Sequence, residues 1–364
     1  MSEAPGAAEK RLVGDLLWLL ERKSPTGSEG PLCDDLEARL AALPGFESVR
    51  AGNNLALRRA RPDGSRPKVV FAGHLDTVPE PKEPLPVRAE GGLVYGRGSS
   101  DMKAGDAVML SLLENFDWDG SWAEPVFVFY EREEGPHLEN GLEVVFSEMP
   151  WVLDADLAIV PEPTEGVVEA GCVGTAQVEV TFRGKAAHSA RPWLGLNAAT
   201  LAGVFLSELH EREPEEVVVD GLSFYEVASV TMVRGGTAKN VVPDSLWANV
   251  NLRFAPGRGR DHVESVFRGL LSGLPADAAE FEVTDFAPSG PVDLSHPLVK
   301  KLLESGLEVR PKQAWTDVAR FAERGVAAVN LGPGTPAQAH GDTEHARVDL
   351  LVECHARLAD FLSG

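Results

Sequence analysis

Apolar and polar positions along the chain follow three regimes in succession. From Leu12 to Leu20 the segment RLVGDLLWLLER spaces its leucines at helical intervals, and MKAGDAVMLSLLENF repeats that spacing farther on. Between such stretches the short apolar runs KVVFAGH, VFVFYEREE and DLAIVPE read as buried strands, so the chain up to about Val173 predicts an α/β alternation. From roughly Ala176 to Pro288 the period changes. AQVEVTF alternates with period two, NAATLAGVFLSELH is helical, VASVTMV and SLWANVNLRF read as two strands, DHVESVFRGLLSGL is helical, and AEFEVTDF ends the set as a strand. Strand, helix, strand, strand, helix, strand is the ferredoxin-like order, a compact four-stranded unit. Beyond it HPLVKKLLESGL is helical and VAAVNLGPG strand-like, so the α/β pattern resumes and must rejoin the first sheet. The predicted organisation is a discontinuous α/β domain with a mixed sheet, residues 1–175 and 289–364, carrying an inserted α+β unit over 176–288. RARPDGSRP and PEPKEPLP read as exposed loops, and no internal repeat stands out.

Composition then removes several classes of function. A length of 364 residues allows about two domains with a substantial core. No stretch has the run of roughly 18 apolar residues that a spanning helix needs, and MSEAPGAAEK lacks the basic-then-apolar layout of a secretory leader. A cytoplasmic protein without a membrane partner is expected. Cys33, Cys172 and Cys354 are far apart and show no CxxC spacing, which suggests neither a disulfide framework nor a thiolate metal site. A formal charge of −22 repels polyanions, and no basic cluster offers a phosphate track, so nucleic acid is not an expected partner. Bound divalent cations would offset part of that charge.

Five residues of metal-ligand type punctuate the pattern: His74, Asp101, Glu134, Glu162 and His340. Each follows an apolar run or a sharp Gly or Pro turn, and open α/β sheets bind ligands beyond the carboxyl ends of their strands. Taken singly, each has an ordinary alternative. His74 reads equally as a hydrogen-bonded core histidine, Asp101 as a helix N-cap, and Glu131, Glu133 and Glu134 as a solvated acidic loop. Together they read as a two-metal hydrolytic centre. Two adjacent carboxylates after a nearly all-apolar strand repel unless a cation or a shared proton intervenes. Asp76, two positions after His74, is placed to support the imidazole as a secondary partner.

The strings GHLDTVP, GRGSSDMKAG, EREEG, PEPT and AHGDTEH, in this order, resemble the co-catalytic zinc aminoacylase and carboxypeptidase superfamily nearly end to end. The resemblance implies two zinc ions, with Co2+ or Mn2+ as substitutes. His74 and Glu162 would hold one, Glu134 and His340 the other, and Asp101 would bridge them. Glu133 falls on the general base. The inserted unit would be a lid that mediates homodimer formation, and His188 in GKAAHSARPWLGLNA matches the residue that reaches a neighbouring subunit's site and polarises the scissile carbonyl. GGTAKNVVPD, which contains Asn240, and NLRF match two further lid segments.

Within the superfamily, AHSARPWLGLNA, VDGLSFYE, NLRFAPGR and AWTDVARFAERGVAAVNLGPG are similar to the actinobacterial desuccinylase branch. That likeness implies hydrolysis of the succinyl amide of N-succinyl-LL-2,6-diaminopimelate, a step of lysine and cell-wall precursor synthesis. Thr316 and Arg320 match a substrate-side loop, and Arg253 a position that contacts a substrate carboxylate, for which the planar guanidinium fork is suited. An Arg-Arg-Gly-Ser segment of the better-known proteobacterial form is replaced here by Cys172, Val173, Gly174 and Thr175, leaving Thr175 as a substrate-side hydroxyl and Arg191 as a substitute anion contact. Two alternatives stay open: a deacylase or dipeptidase acting on another N-acyl amino acid, acetylornithine or a dipeptide, and a catalytically silent binding protein.

Overall fold

The computed structural model describes residues 6–275 and 277–364, so MSEAP, the start of the segment read for a leader, lies outside the described residues. The chain divides into two compact units. One comprises Met1–Gly171, Asp293–Arg310 and Thr316–Gly364, and the other comprises Cys172–Val292 and Pro311–Trp315. The short segment Pro311–Trp315, expected with the α/β domain, groups with the inserted unit for local reasons. The carbonyl of Lys312 accepts from Val173 N at 3.2 Å, Gln313 exchanges two bonds with the Tyr225 backbone at 3.1 and 2.6 Å, and Trp315 Nε1 donates to Pro288 O at 2.9 Å.

The first unit is built on an eight-stranded mixed sheet, ordered Phe46–Ala51, Asn54–Arg59, Glu124–Tyr130, Lys68–His74, Leu157–Val160, Ala328–Asn330, Val168–Ala170 and Val309–Pro311. Its four central strands run parallel, so their carboxyl ends share one rim. Every residue of Glu124–Tyr130 is buried, as a strand covered on both faces requires. Helices Ala7–Leu20, Lys103–Asn115 and Val348–Ser363 contribute to the same core. Leu12, Leu16 and Leu19 face inward at helical spacing and are wholly buried, each contributing about 1.5–3 kcal/mol. Asp15 interrupts that stripe and is neutralised by Arg39 at 2.6 Å. A small sheet of His345–Arg347, Leu93–Tyr95 and Arg88–Glu90 completes the unit.

The second unit is a five-stranded antiparallel sheet ordered Glu215–Val219, Leu222–Gly235, Ser245–Phe254, Gly174–Arg183 and Ala279–Ala287. Helices Ala198–Glu211 and Arg260–Leu271 contribute to its own core. Gly174–Arg183 alternates buried and half-buried positions, the signature of a sheet with one covered face. Leaving aside Glu215–Val219, strand order and connections are ferredoxin-like. The chain is thus mixed α/β with an α+β insertion. Among the described residues no helix is long and apolar enough to cross a membrane.

Candidate metal centre

Four loops leaving the parallel strands, and one turn entering a helix, supply the side chains. His74 is the last residue of Lys68–His74, the turn carrying Glu133 and Glu134 follows Glu124–Tyr130, and Glu162 lies two residues past Leu157–Val160. His340 belongs to the loop after Ala328–Asn330, at a φ of 63°. The loops of Glu162 and His340 are pressed together: a Cβ on Gly332 would sit 2.2 Å from Pro161 O and 2.3 Å from Glu162 O, so only glycine fits there. Thr164 fastens the contact, its hydroxyl accepting from Gly332 N at 3.0 Å and donating to Val167 O at 2.7 Å.

All five residues singled out for metal binding converge. His74, Asp101 and Glu134 each bring one ligand-type atom within 4.8 Å of the others. Asp101 lies between the histidines, with Oδ1 3.4 Å from His74 Nε2 and Oδ2 3.3 Å from His340 Nε2. Glu162 Oε1 flanks His74 Nε2 at 3.8 Å, and Glu134 Oε1 flanks His340 Nε2 at 2.9 Å. The ordinary readings of Asp101 and Glu131 fail, whereas His74 is indeed a buried, hydrogen-bonded histidine. Asp101 caps nothing, because the helix Lys103–Asn115 has Met102 at its N-cap and no side-chain cap bond. Glu131 is not a solvated acid, since its carboxylate accepts from Asn53 Nδ2 at 2.8 Å and Asn54 Nδ2 at 3.3 Å.

His74 is wholly buried, with Nδ1 3.0 Å from Asp76 O. Nδ1 therefore donates to that carbonyl, and Nε2, without a hydrogen bond of its own, faces Asp101 and Glu162. A buried imidazole so oriented, beside the carboxylates of Asp76, Asp101 and Glu162, suits a divalent cation. The titration of the site points the same way. Hydrogen bonds to Asp101 and Glu134 push His340 up to about 10. Burial opposes charge on His74, yet Asp101 and Asp76 outweigh it and raise its pKa. Desolvation pushes Glu133 well above the usual carboxylate range; His74 opposes this, while Glu162 and Glu134 add to it.

Asp76 does more than face an imidazole. Its carboxylate accepts from the amides of Glu133 at 2.9 Å and Glu134 at 3.1 Å and from the Thr26 hydroxyl at 2.9 Å, fixing the acidic turn. Burial alone would raise its pKa, but the His74 contact and these donors hold it low. Thr316 is buried, its hydroxyl donating to Asn330 Oδ1 at 2.9 Å. Arg320 departs from expectation. It is 1 % exposed and bonded to Asp317 at 2.8 Å, Glu143 at 2.6 Å and His137 Nδ1 at 2.8 Å, so it pairs with buried Asp317 and half-buried Glu143 where a substrate-side contact was expected.

Residues of the second unit form two groups. His188 is exposed in the two-residue strand Ala187–His188, and its Nδ1 accepts from Ala190 N at 3.1 Å, which leaves the proton on Nε2. Arg191 N donates to His188 O at 2.8 Å and Ser189 N to Asn240 O at 3.0 Å, so His188, Arg191 and Asn240 share one loop pair. Thr175 and Arg253 are paired across neighbouring strands and joined through Asn251, which donates to Thr175 Oγ1 and accepts from Arg253 Nε, each at 3.0 Å.

The family described as Peptidase family M20/M25/M40 matches residues 70–364. A protein of Mycobacterium tuberculosis provisionally described as a succinyl-diaminopimelate desuccinylase is 41% identical over 356 residues, 95% of this chain and 96% of the relative. The succinyl-diaminopimelate desuccinylase of Corynebacterium glutamicum is 38% identical over 363 residues, 97% of each chain. Among solved structures, an aminopeptidase of Bacillus cereus superposes with a TM-score of 0.79 at 19% identity, covering 98% of both chains, which shows the shared fold.

Proposed function

The chain belongs to peptidase family M20/M25/M40, a family of metal-dependent hydrolases, and from that premise we propose that it removes the succinyl group from N-succinyl-LL-2,6-diaminopimelate by hydrolysis of the amide. The observation that carries the reading is the place of Asp101, one carboxylate oxygen turned to each histidine, with Glu162 and Glu134 at the two ends of the row. His74 and Glu162 would hold one zinc, Glu134 and His340 the second, with Asp101 bridging; Co2+ or Mn2+ suits the same donors. When bound, such a pair lowers the pKa of water and polarises an amide oxygen.

The remaining chemistry belongs to side chains. Glu133 accepts a proton from the attacking water and returns it to the departing amine, as general base and then general acid. Asp76 is a positioning residue that fixes the turn presenting Glu133. His188, with the proton on Nε2, is the donor assigned to the charge developing on the amide oxygen, acting in a second copy of the chain. Arg191 and Arg253 are assigned to substrate carboxylates, with Asn240 and Thr175 as polar neighbours.

A homodimer through the second unit belongs to the same reading. Among the described residues Glu215–Val219 pairs only with Leu222–Glu226, so the rest of the strand Leu222–Gly235 is laddered there on one side alone. Met232 and Val233 on that edge are 43% and 49% exposed. Unpaired apolar edges template pairing with another chain. The substrate is tested by comparing kcat/KM of the metal-loaded protein for succinyl-diaminopimelate, acetylornithine and several N-acyl amino acids. At least tenfold preference for the succinylated substrate is expected, about 1.4 kcal/mol of transition-state discrimination. A tenfold preference for another substrate overturns the substrate and spares the hydrolytic centre.

A further inference from the structure

Glu344 follows His340 by four residues, in a stretch of Gly, Asp and Thr where a carboxylate is ordinarily solvated. It is instead 1 % exposed and fully bonded. Oε1 accepts from the amides of Ser100 at 2.9 Å and Asp101 at 3.2 Å, and Oε2 accepts from the Gly98 amide at 3.0 Å and Arg97 Nη1 at 2.9 Å. Three amides of one turn converge on this carboxylate from 244 residues away, as they would on a bound anion. The turn can close that tightly because Gly98 adopts a φ of 83°. Arg97, itself nine-tenths buried, also donates to Gly341 O at 3.2 Å, next to His340. One ion pair therefore holds both the turn that ends on Asp101 and the loop that carries His340.

We propose that Glu344 and Arg97 form a positioning pair that sets the spacing of Asp101 and His340 for metal binding. The proposal rests on the assignment of Asp101 and His340 as ligands. The physical argument is one of register. The amide of Asp101 is bonded directly to Glu344, so any shift of that carboxylate moves Asp101, while the four-residue link to His340 and the Arg97 bond to Gly341 carry the same shift to the other loop. Ser100 adds a second tie, its hydroxyl donating to Thr335 O at 2.9 Å and accepting from Thr335 N at 2.8 Å. A glutamine at 344 keeps the shape but turns an amide NH2 toward two donors and leaves Arg97 buried without a counter-charge.

The test reads zinc affinity, by competition with a chromophoric chelator, beside the unfolding midpoint of the metal-free protein. Glu344→Gln is expected to weaken zinc binding about 10–100-fold, the usual effect of losing a partner that orients ligands, and to change the visible absorption of the Co2+-loaded protein. Arg39→Met, which breaks the Arg39 pairing with Asp15 and Glu114 in the same unit, is expected to lower the midpoint and leave zinc affinity unchanged. If Glu344→Gln lowers the midpoint but weakens zinc less than about tenfold, the pair is merely structural and the proposal is overturned. Should Glu344→Gln fail to fold, Arg97→Lys is read by the same criterion, since it keeps the charge but not the reach to both Glu344 and Gly341. His340→Ala separates the two levels of inference. Unchanged zinc binding in that variant overturns the ligand assignment itself, whereas zinc lost there and kept in Glu344→Gln overturns the positioning pair alone.

Discussion

Asp106 is wholly buried on the helix Lys103–Asn115, and neither carboxylate oxygen has a hydrogen bond. The helix approaches the strand ending on His74 so closely that a Cβ on Gly73 would lie 2.2 Å from Asp106 Oδ1. Burial raises its pKa from 3.8 to about 7, against the opposing charges of His74 and Lys103. A carboxyl whose folded pKa is raised binds its proton more tightly when folded. Its contribution is therefore present below about pH 4 and is lost as pH climbs through about 7, by up to roughly 4 kcal/mol. Asp106→Asn, neutral at every pH, should gain stability relative to the parent between pH 4 and 8. Denaturant unfolding of both proteins at pH 5 and pH 8 measures this, and a pH-independent difference would contradict it. The same scale shows what a sequence conceals. His74, Asp101, Glu134, Glu162 and His340 were legible because strand ends and Gly turns deliver side chains to one rim. Glu344 was not, since its partners are mostly backbone amides that no pattern marks, and the burial of Arg320 was only half visible, because Asp317 lies three residues before it but Glu143 lies 177 residues away.

At the scale of elements, the helices and strands with clear periodicity were legible, whereas short or edge strands such as Phe46–Ala51, Asn54–Arg59 and Glu215–Val219 were missed. Glu215–Val219 and Leu222–Gly235 form a hairpin whose loop is Asp220-Gly221, both at positive φ. Asp-Gly between runs rich in β-branched residues is a strong hairpin signal, and VVVDGLSF carries it. The consequence is an edge covered over its first five residues and open beyond. Proline tests whether a second copy occupies that edge. Neighbouring N–H groups of an edge strand point alternately into the sheet and away from it, so Met232→Pro and Val233→Pro, made separately, block different sides. One should disturb the ladder to Ser245–Phe254; the other should fold normally and run as a monomer by light scattering. A parent protein that is itself monomeric, or folded variants that both keep the dimer mass, would rule the edge out.

Over the whole molecule, each unit carries a buried cluster of its own. The first unit's cluster contains Leu12, Phe71, Val108 and Leu358, and the second unit's contains Val178, Phe205, Val250 and Phe267. His74, Asp101, Glu134, Glu162 and His340 all belong to the first. A chain whose units have separate cores need not unfold in one step, and a bound ion stabilises the unit that its ligands build. Free metal at about 100 times its dissociation constant adds about 2.7 kcal/mol to the state that binds it. The formal charge of −22 works in the same direction, because removing divalent cations from a cluster of carboxylates restores their mutual repulsion. Calorimetry of the metal-loaded and chelated protein should therefore show two transitions, of which chelation lowers one and leaves the other in place. In His340→Ala the responsive transition should lie near its chelated position even with metal present. Equal shifts of both transitions on chelation would mean that the ions stabilise more than the unit containing these ligands, and no shift in either would remove the metal centre from the account of this protein's stability.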